Sequence, residues 1–240
     1  MTIASIGLFL AMTSAEAIAT LLNSPSAAGA KTFAVAKAIV EHDAEQGRPL
    51  QQFVIGVTTD DRELAKKYLG ASRPRIETLA AEKDNPLAWY LLSMERNDMR
   101  LLRKAAAGGN VQALNALGTI LTQQTLESAA SLGSNKVEKV LKQCFGYFSK
   151  AAESRDPNGF INLGACYLRG FGCEKDLELA FQCFRSAAEL GHPEGMDNMS
   201  AMYQFGHGVE KNSEMSLYWA MRGRAARGDE AAVKWLRTRK

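Results

Sequence analysis

Apolar residues in the last third of the chain fall on helical stripes broken by turn residues, and the arrangement occurs twice. In NGFINLGACYLRG, Phe160, Ile161, Leu163, Gly164 and Tyr167 keep helical spacing, which predicts a first helix, A. Gly170 and Gly172 then stop it, because glycine reaches positive φ without a Cβ penalty. Asp176 suits the N-cap of a second helix, B, over about Leu177 to Leu190. Leu179, Ala180, Cys183, Phe184, Ala187 and Ala188 share one stripe of it. Gly191 ends B, and Pro193 opens the next A, since a first-turn proline gives up an N–H that would be unpaired anyway. Tyr167, Gly170, Gly172, Glu174 and Lys175 recur as Tyr203, Gly206, Gly208, Glu210 and Lys211. In the second copy Met199, Ser200 and Asn212 replace Leu163, Gly164 and Asp176, and the match slips by one residue late in B. EAAVKWLRTRK then begins another A with no B, as a terminal capping helix would.

Upstream the pattern loosens. Pro49, Pro86, Pro157 and Pro193 lie 37, 71 and 36 residues apart, near one period or its double. VQALNALGTIL, Val111 to Leu121, matches A, and YFSKAAESRDP matches the end of B. Ten extra residues stand between them, around Thr122 to Asn135, and the Gly-x-Gly turn is missing. NPLAWYLLSM and LLRKAAAGGN make a shortened unit. PLQQFVIGV and IETLAAEKDN make a more degenerate one, with Thr59 or Asp60 capping a helix between them and Gly70 and Pro74 breaking helix B. Two further helices are predicted over 2–22 and 27–46, split by Asn23-Ser24-Pro25-Ser26. A single hairpin cannot bury its apolar stripe, so stacked hairpins must share a core. The predicted fold is all-α: an α/α superhelix, a right-handed solenoid of helix-turn-helix repeats over 49–240, preceded by N-terminal helices over 1–48.

Composition narrows the function classes. A net charge of +3 is too small to indicate a nucleic-acid partner by itself. The charge is uneven, however. From Met221 onward Arg222, Arg224, Arg227, Lys234, Arg237, Arg239 and Lys240 face only Asp229 and Glu230. This basic end reads as a solvated last helix suited to its own dipole, with a phosphate- or anionic-surface patch as the alternative. Residues 1–17 hold an apolar run ending in Ala15-Glu16-Ala17, which fits a cleaved leader, but no Lys or Arg precedes it. The expectation is therefore a cytoplasmic protein unless 1–17 is removed on export. No stretch reaches the roughly 18 apolar residues that span a bilayer.

The stretch NLGACYLRGFGCEKDLELAFQCFRSAAELGH resembles the Sel-one-like repeat family, relatives of the tetratricopeptide repeat. The resemblance falls on Leu163, Gly164, Tyr167, Gly170, Gly172, Asp176, Ala180, Ala187, Ala188 and Gly191, with Cys173 where the family has Val. It is clear over 157–229 and weaker over 86–156. It implies an α-solenoid adaptor that holds a protein or peptide on a concave face lined by A helices. It transfers no catalytic residue. Cysteine-rich members of the family pair C-x7-C between B and the next A, but those positions here are Ala188 and Met196.

Candidate chemistry is sparse. Cys144, Cys166, Cys173 and Cys183 include no C-x-x-C, and His42, His192 and His207 are scattered, so no metal and no cofactor is expected. GFGCEK lacks the strand that a phosphate loop requires. Cys173, with Lys175 beside it and His207 one unit on, is the least ordinary cysteine, although a nucleophile also needs a positioned base. His192 and the paired acids read as turn and capping residues. The candidate partner-binding residues are Asn162 and Asn198, which recur on otherwise apolar A helices, and Arg169 and Phe205 at the A ends. The Asn side chains could equally bond neighbouring backbone and order the stack. The first expectation is a non-enzymatic scaffold that binds a protein or peptide, with no nucleic acid involved. The alternative is an enzyme or small-ligand protein with a cleft near the 122–135 insertion.

Overall fold

The structure, a computed structural model, describes residues 44, 48–58, 61–82 and 84–239. The helices expected over 2–22 and 27–46 (Ala44 apart), the leader over 1–17 and the caps at Thr59 and Asp60 lie outside the described residues. Among the described residues there are twelve helices and no strand. They are α1 (Pro49–Thr58), α2 (Arg62–Glu82), α3 (Pro86–Arg96), α4 (Met99–Ala107), α5 (Val111–Glu127) and α6 (Ala129–Leu132). They continue as α7 (Ser134–Glu153), α8 (Pro157–Arg169), α9 (Leu177–Glu189), α10 (Pro193–Phe205), α11 (Ser213–Ala226) and α12 (Glu230–Arg237). The chain separates into two compact units that divide within α5, between Ala113 and Leu114.

In the second unit the helices from α6 to α12 each pack on their neighbours in sequence, and α8 also touches α10. Contact with nearest neighbours is the signature of a solenoid. The A helices are α5, α8 and α10, and the B helices are α7, α9 and α11. Asp156, Asp176, Asn212 and Asp229 each occupy an N-cap and accept a backbone N–H with the side chain. Gly170 and Gly206 close α8 and α10 in the left-handed conformation, at φ 73° and 72°.

The second glycine of each Gly-x-Gly answers a different need. A Cβ on Gly172 would lie 2.3 Å from the Leu141 carbonyl oxygen on α7, and one on Gly208 would lie 2.0 Å from the equivalent oxygen of Leu177 on α9. The turn of each hairpin thus rests on the backbone of the preceding B helix, where no side chain fits. Rings lock the same joint. Phe145 meets Tyr167 edge-on at 5.4 Å, and Phe181 meets Tyr203 at 5.6 Å. The one-residue slip late in the second copy has a plain cause: α11 has 14 residues and α9 has 13.

The first unit holds α1 to α4, with α1 packed on α2 and α3 on α4. One expectation fails here. Gly70 and Pro74 do not break the helix, and α2 runs unbroken through both. Tyr68, Ser72, Ile76 and Ala80 form one buried stripe spanning the proline. Burial at four successive turns outweighs the single backbone bond that Pro74 removes. Asp61, one residue beyond the predicted caps, accepts from the N–H groups of Glu63 and Leu64, both at 3.0 Å.

Candidate functional site

The 122–135 insertion does two things. It prolongs the A helix, so that α5 has 17 residues where α8 and α10 have 13. It then adds the four-residue α6 before α7. The C-terminal half of α5, its extra turn included, forms one wall of a cleft of about 320 Å³, whose other wall is α8. Thr119, Thr122, Gln123, Leu126 and Glu127 line the α5 side. Asn162, Ala165, Cys166 and Arg169 line the α8 side, and Phe148 and Phe171 complete it.

A polar chain fixes the two walls relative to each other. The Asn162 side-chain amide donates to Asn115 Oδ1 at 3.3 Å, and the Asn115 amide donates to Asp156 Oδ1 at 2.7 Å. The same Asp156 oxygen accepts the Gly159 N–H at 2.9 Å and so caps α8. Asn162 therefore orders the stack through a side chain on the preceding A helix, not through neighbouring backbone. A buried Asn115 joined this way to the half-buried Asn162 specifies register, since breaking one link leaves another group unpaired.

Of the four candidate residues, Asn162 and Arg169 share this cleft, and Asn198 and Phe205 sit one repeat further on, on α10. Arg169 is exposed at the C-terminal end of α8 and holds its guanidinium 5.8 Å from the Phe171 ring. Phe205 is 62% exposed and leans on His207 at 5.7 Å, so the pair Arg169–Phe171 in one turn becomes Phe205–His207 in the next. Sequence reasoning missed Asn115 and Phe171. The ring at the middle of Gly-x-Gly, Phe171 then His207, was the available signal for the second.

The cysteine chemistry runs against a nucleophile. All four cysteines are free, and Cys144 and Cys166 are buried around Phe148 with Cys173 packed against them. Burial, with the neighbouring thiols adding to it, pushes Cys166 up to about 12. Burial and then the Asp176 carboxylate raise Cys173, so the neutral thiol is favoured even with Lys175 nearby in sequence. His207 faces Phe205, and no contact joins it to Cys173. Among the described residues no group of three His, Cys, Asp or Glu is placed to hold a metal ion.

His192 occupies the N-cap of α10 without capping it. It is 1% exposed, its Nε2 lies 3.1 Å from Asn158 Oδ1, and its Nδ1 has no partner. Burial, helped by Arg227, lowers its pKa to about 4, against the opposing pull of Asp197.

The basic end is largely engaged within the chain. Arg224 pairs with Asp229, Arg227 with Asp197 and Arg239 with Glu214, while Arg222 lies 4.7 Å from the Trp219 ring. No described helix is long and apolar enough to cross a membrane.

Comparison with known proteins adds the following. The Sel1 repeat family model matches residues 126–156, 161–192 and 193–220. A Sel1 repeat protein from Oxalobacter formigenes is 25% identical, with a TM-score of 0.45 over 53% of this chain and 90% of that one. A protective antigen of uropathogenic Escherichia coli strains that displays an SLR fold is 22% identical, with a TM-score of 0.53. That match covers 85% of this chain and 45% of the antigen. No curated protein matches the sequence.

Proposed function

From the premise that this is a Sel1-repeat protein, its repeats running through 126–220, we propose that it is a non-enzymatic scaffold binding a protein or peptide along its A helices. Sel1 repeats serve in general as protein-interaction scaffolds. The single observation that carries the finer reading is the cleft between α5 and α8, which joins Asn162 and Arg169 on one surface. Asn198 and the exposed Phe205 extend that surface along α10. Buried apolar walls supply affinity in such a groove, and a few polar groups fix orientation. The repeat array begins in this reading at residue 49.

Capture from the native host with the full chain, followed by identification of the partner, tests the reading. The partner should bind the purified chain directly and be lost on Arg169→Glu with Phe205→Glu, two exposed positions, while the helical circular dichroism signal stays unchanged. Undiminished recovery of every direct partner by the double variant sinks the proposed face.

The cleft's volume also favours a second reading, a small ligand held between the same two helices. A perturbed base or nucleophile would point to an enzyme, but Cys166 is perturbed towards the neutral thiol. The two readings separate on competition. A small ligand would compete with the captured partner only if both use the cleft, and would bind when Phe205 is changed to Ala.

A further inference from the structure

We infer that the groove selects an extended acidic segment of its partner, seating one large apolar side chain in the α5–α8 cleft and an adjoining carboxylate on Arg169. The inference rests on the peptide-binding reading and adds its chemistry.

Arg169 supplies the charge argument. Arg185, Arg224, Arg227 and Arg239 in the same unit each have a carboxylate partner. Arg169 has none among the described residues, which is also true of Arg155, Arg222 and Arg237, but of these four it alone lines the cleft, and the Phe171 ring stands beside it. A planar guanidinium steadied by an aromatic neighbour is a ready bidentate site for a carboxylate. The one acid on the cleft lining, Glu127, is on the α5 wall and accepts the Gln123 side-chain amide at 2.9 Å, which leaves its charge in place for a Glu127→Gln variant to test.

Size and spacing supply the rest. At about 320 Å³ the cleft is at the small end of ligand sites, so it admits a side chain and not a folded surface. Leu126, Phe148 and Phe171 make its floor and rim apolar. The equivalent of Arg169 on the next A helix is the exposed Phe205. Helices in contact lie about 8–10 Å apart, and an extended chain advances about 3.3 Å per residue. A segment crossing from α8 to α10 therefore meets Phe205 about three residues after its carboxylate. The pattern is apolar, acidic, any, any, apolar.

The probe is the peptide acetyl-Gly-Ser-Trp-Asp-Ser-Ser-Leu-Gly-Ser-amide, titrated into isotopically labelled full-length chain by NMR. Two comparison peptides carry Lys for Asp, or Ala for Trp. The Trp-Asp peptide is expected to shift the resonances of Asn162 and Phe171. The Lys peptide should bind about fivefold more weakly, the upper end of an exposed ion pair. The Ala peptide should show still weaker binding, Arg169→Glu should reverse the Asp-over-Lys preference, and Leu126→Trp should block the cleft to the Trp side chain. Binding indifferent to the Asp/Lys exchange, or unchanged by Arg169→Glu, overturns the inference, as does no binding by any peptide at millimolar concentration. A Lys preference removed by Glu127→Gln overturns it in favour of a basic segment. None of these failures touches the broader scaffold reading, which stands or falls on the directly captured partner.

Discussion

The hairpins over 157–226 and the helices over 49–107 are both all-α, yet different atoms set the spacing of their neighbours. In the later region backbone rests on backbone: Gly172 on Leu141 and Gly208 on Leu177, with equivalent ring pairs at each joint. In the earlier region side chains do the work. Trp89 donates its indole N–H to the Ala80 carbonyl at 3.0 Å and carries Lys104 over its ring at 3.9 Å. Arg73 pairs with Glu95, and Arg96 with Glu77. Backbone contacts dictate glycine at fixed intervals and so leave a period in the sequence. Side-chain contacts can be met by many residue types and leave none.

The largest effect should come from the device that has no counterpart in the repeats. Trp89→Ala removes a buried ring and strands the Ala80 carbonyl, at a cost of about 4 kcal/mol in urea unfolding of the full chain. A loss below about 1 kcal/mol would mean that the earlier helices are not held by this ring.

That difference also decides what could be read in advance. Phe160 to Gly191 announce two helices, a cap and a turn, because each residue acts within its own hairpin or the adjacent one. Pro74 misled because the stripe Tyr68–Ser72–Ile76–Ala80 is a tertiary fact, and tertiary burial overrides local propensity. At the site, Asn162 and Arg169 were legible through their repeat position. Asn115 was not, since its role depends on Asp156, 41 residues on, arriving beside it. The insertion's effect on the length of α5 was hidden for the same reason.

Within the repeats, Gly208→Ala should cost about 3 kcal/mol, from left-handed strain at φ 66° plus a collision with the Leu177 carbonyl. Gly191 is the control. Its φ is 88° and nothing lies within 4 Å of a Cβ there, so Gly191→Ala should cost only the strain, about 1–2 kcal/mol. Equal losses at the two sites would mean that the turn does not rest on the preceding B helix.

His192 marks where one repeat departs from its sisters, which have Asp156 and Asp229 at the same cap. Its folded pKa, about 4, lies below the ordinary 6.5. The unfolded chain therefore takes up a proton that the folded chain refuses. Stability is complete above pH 6.5, falls as pH drops towards 4, and is lower by about 2 kcal/mol at pH 5 on this account. His192→Asn should flatten the 6.5-to-4 segment of a melting-temperature profile. A profile with unchanged slope would place the pH dependence on other groups.

The smallest effect tests whether glycine in the repeat region is always a contact. Gly146 lies inside α7, and a Cβ there meets nothing within 4 Å. Unlike Gly172 and Gly208, it spaces no neighbour, so it carries only the conformational entropy that glycine loses on folding. Gly146→Ala should accordingly stabilise the chain by about 0.5–1 kcal/mol, seen as a higher urea midpoint with an unchanged slope. A destabilised variant would mean that Gly146, like Gly172 and Gly208, is spaced against a neighbour within the chain, and the contrast between contact glycines and free ones would have to be redrawn.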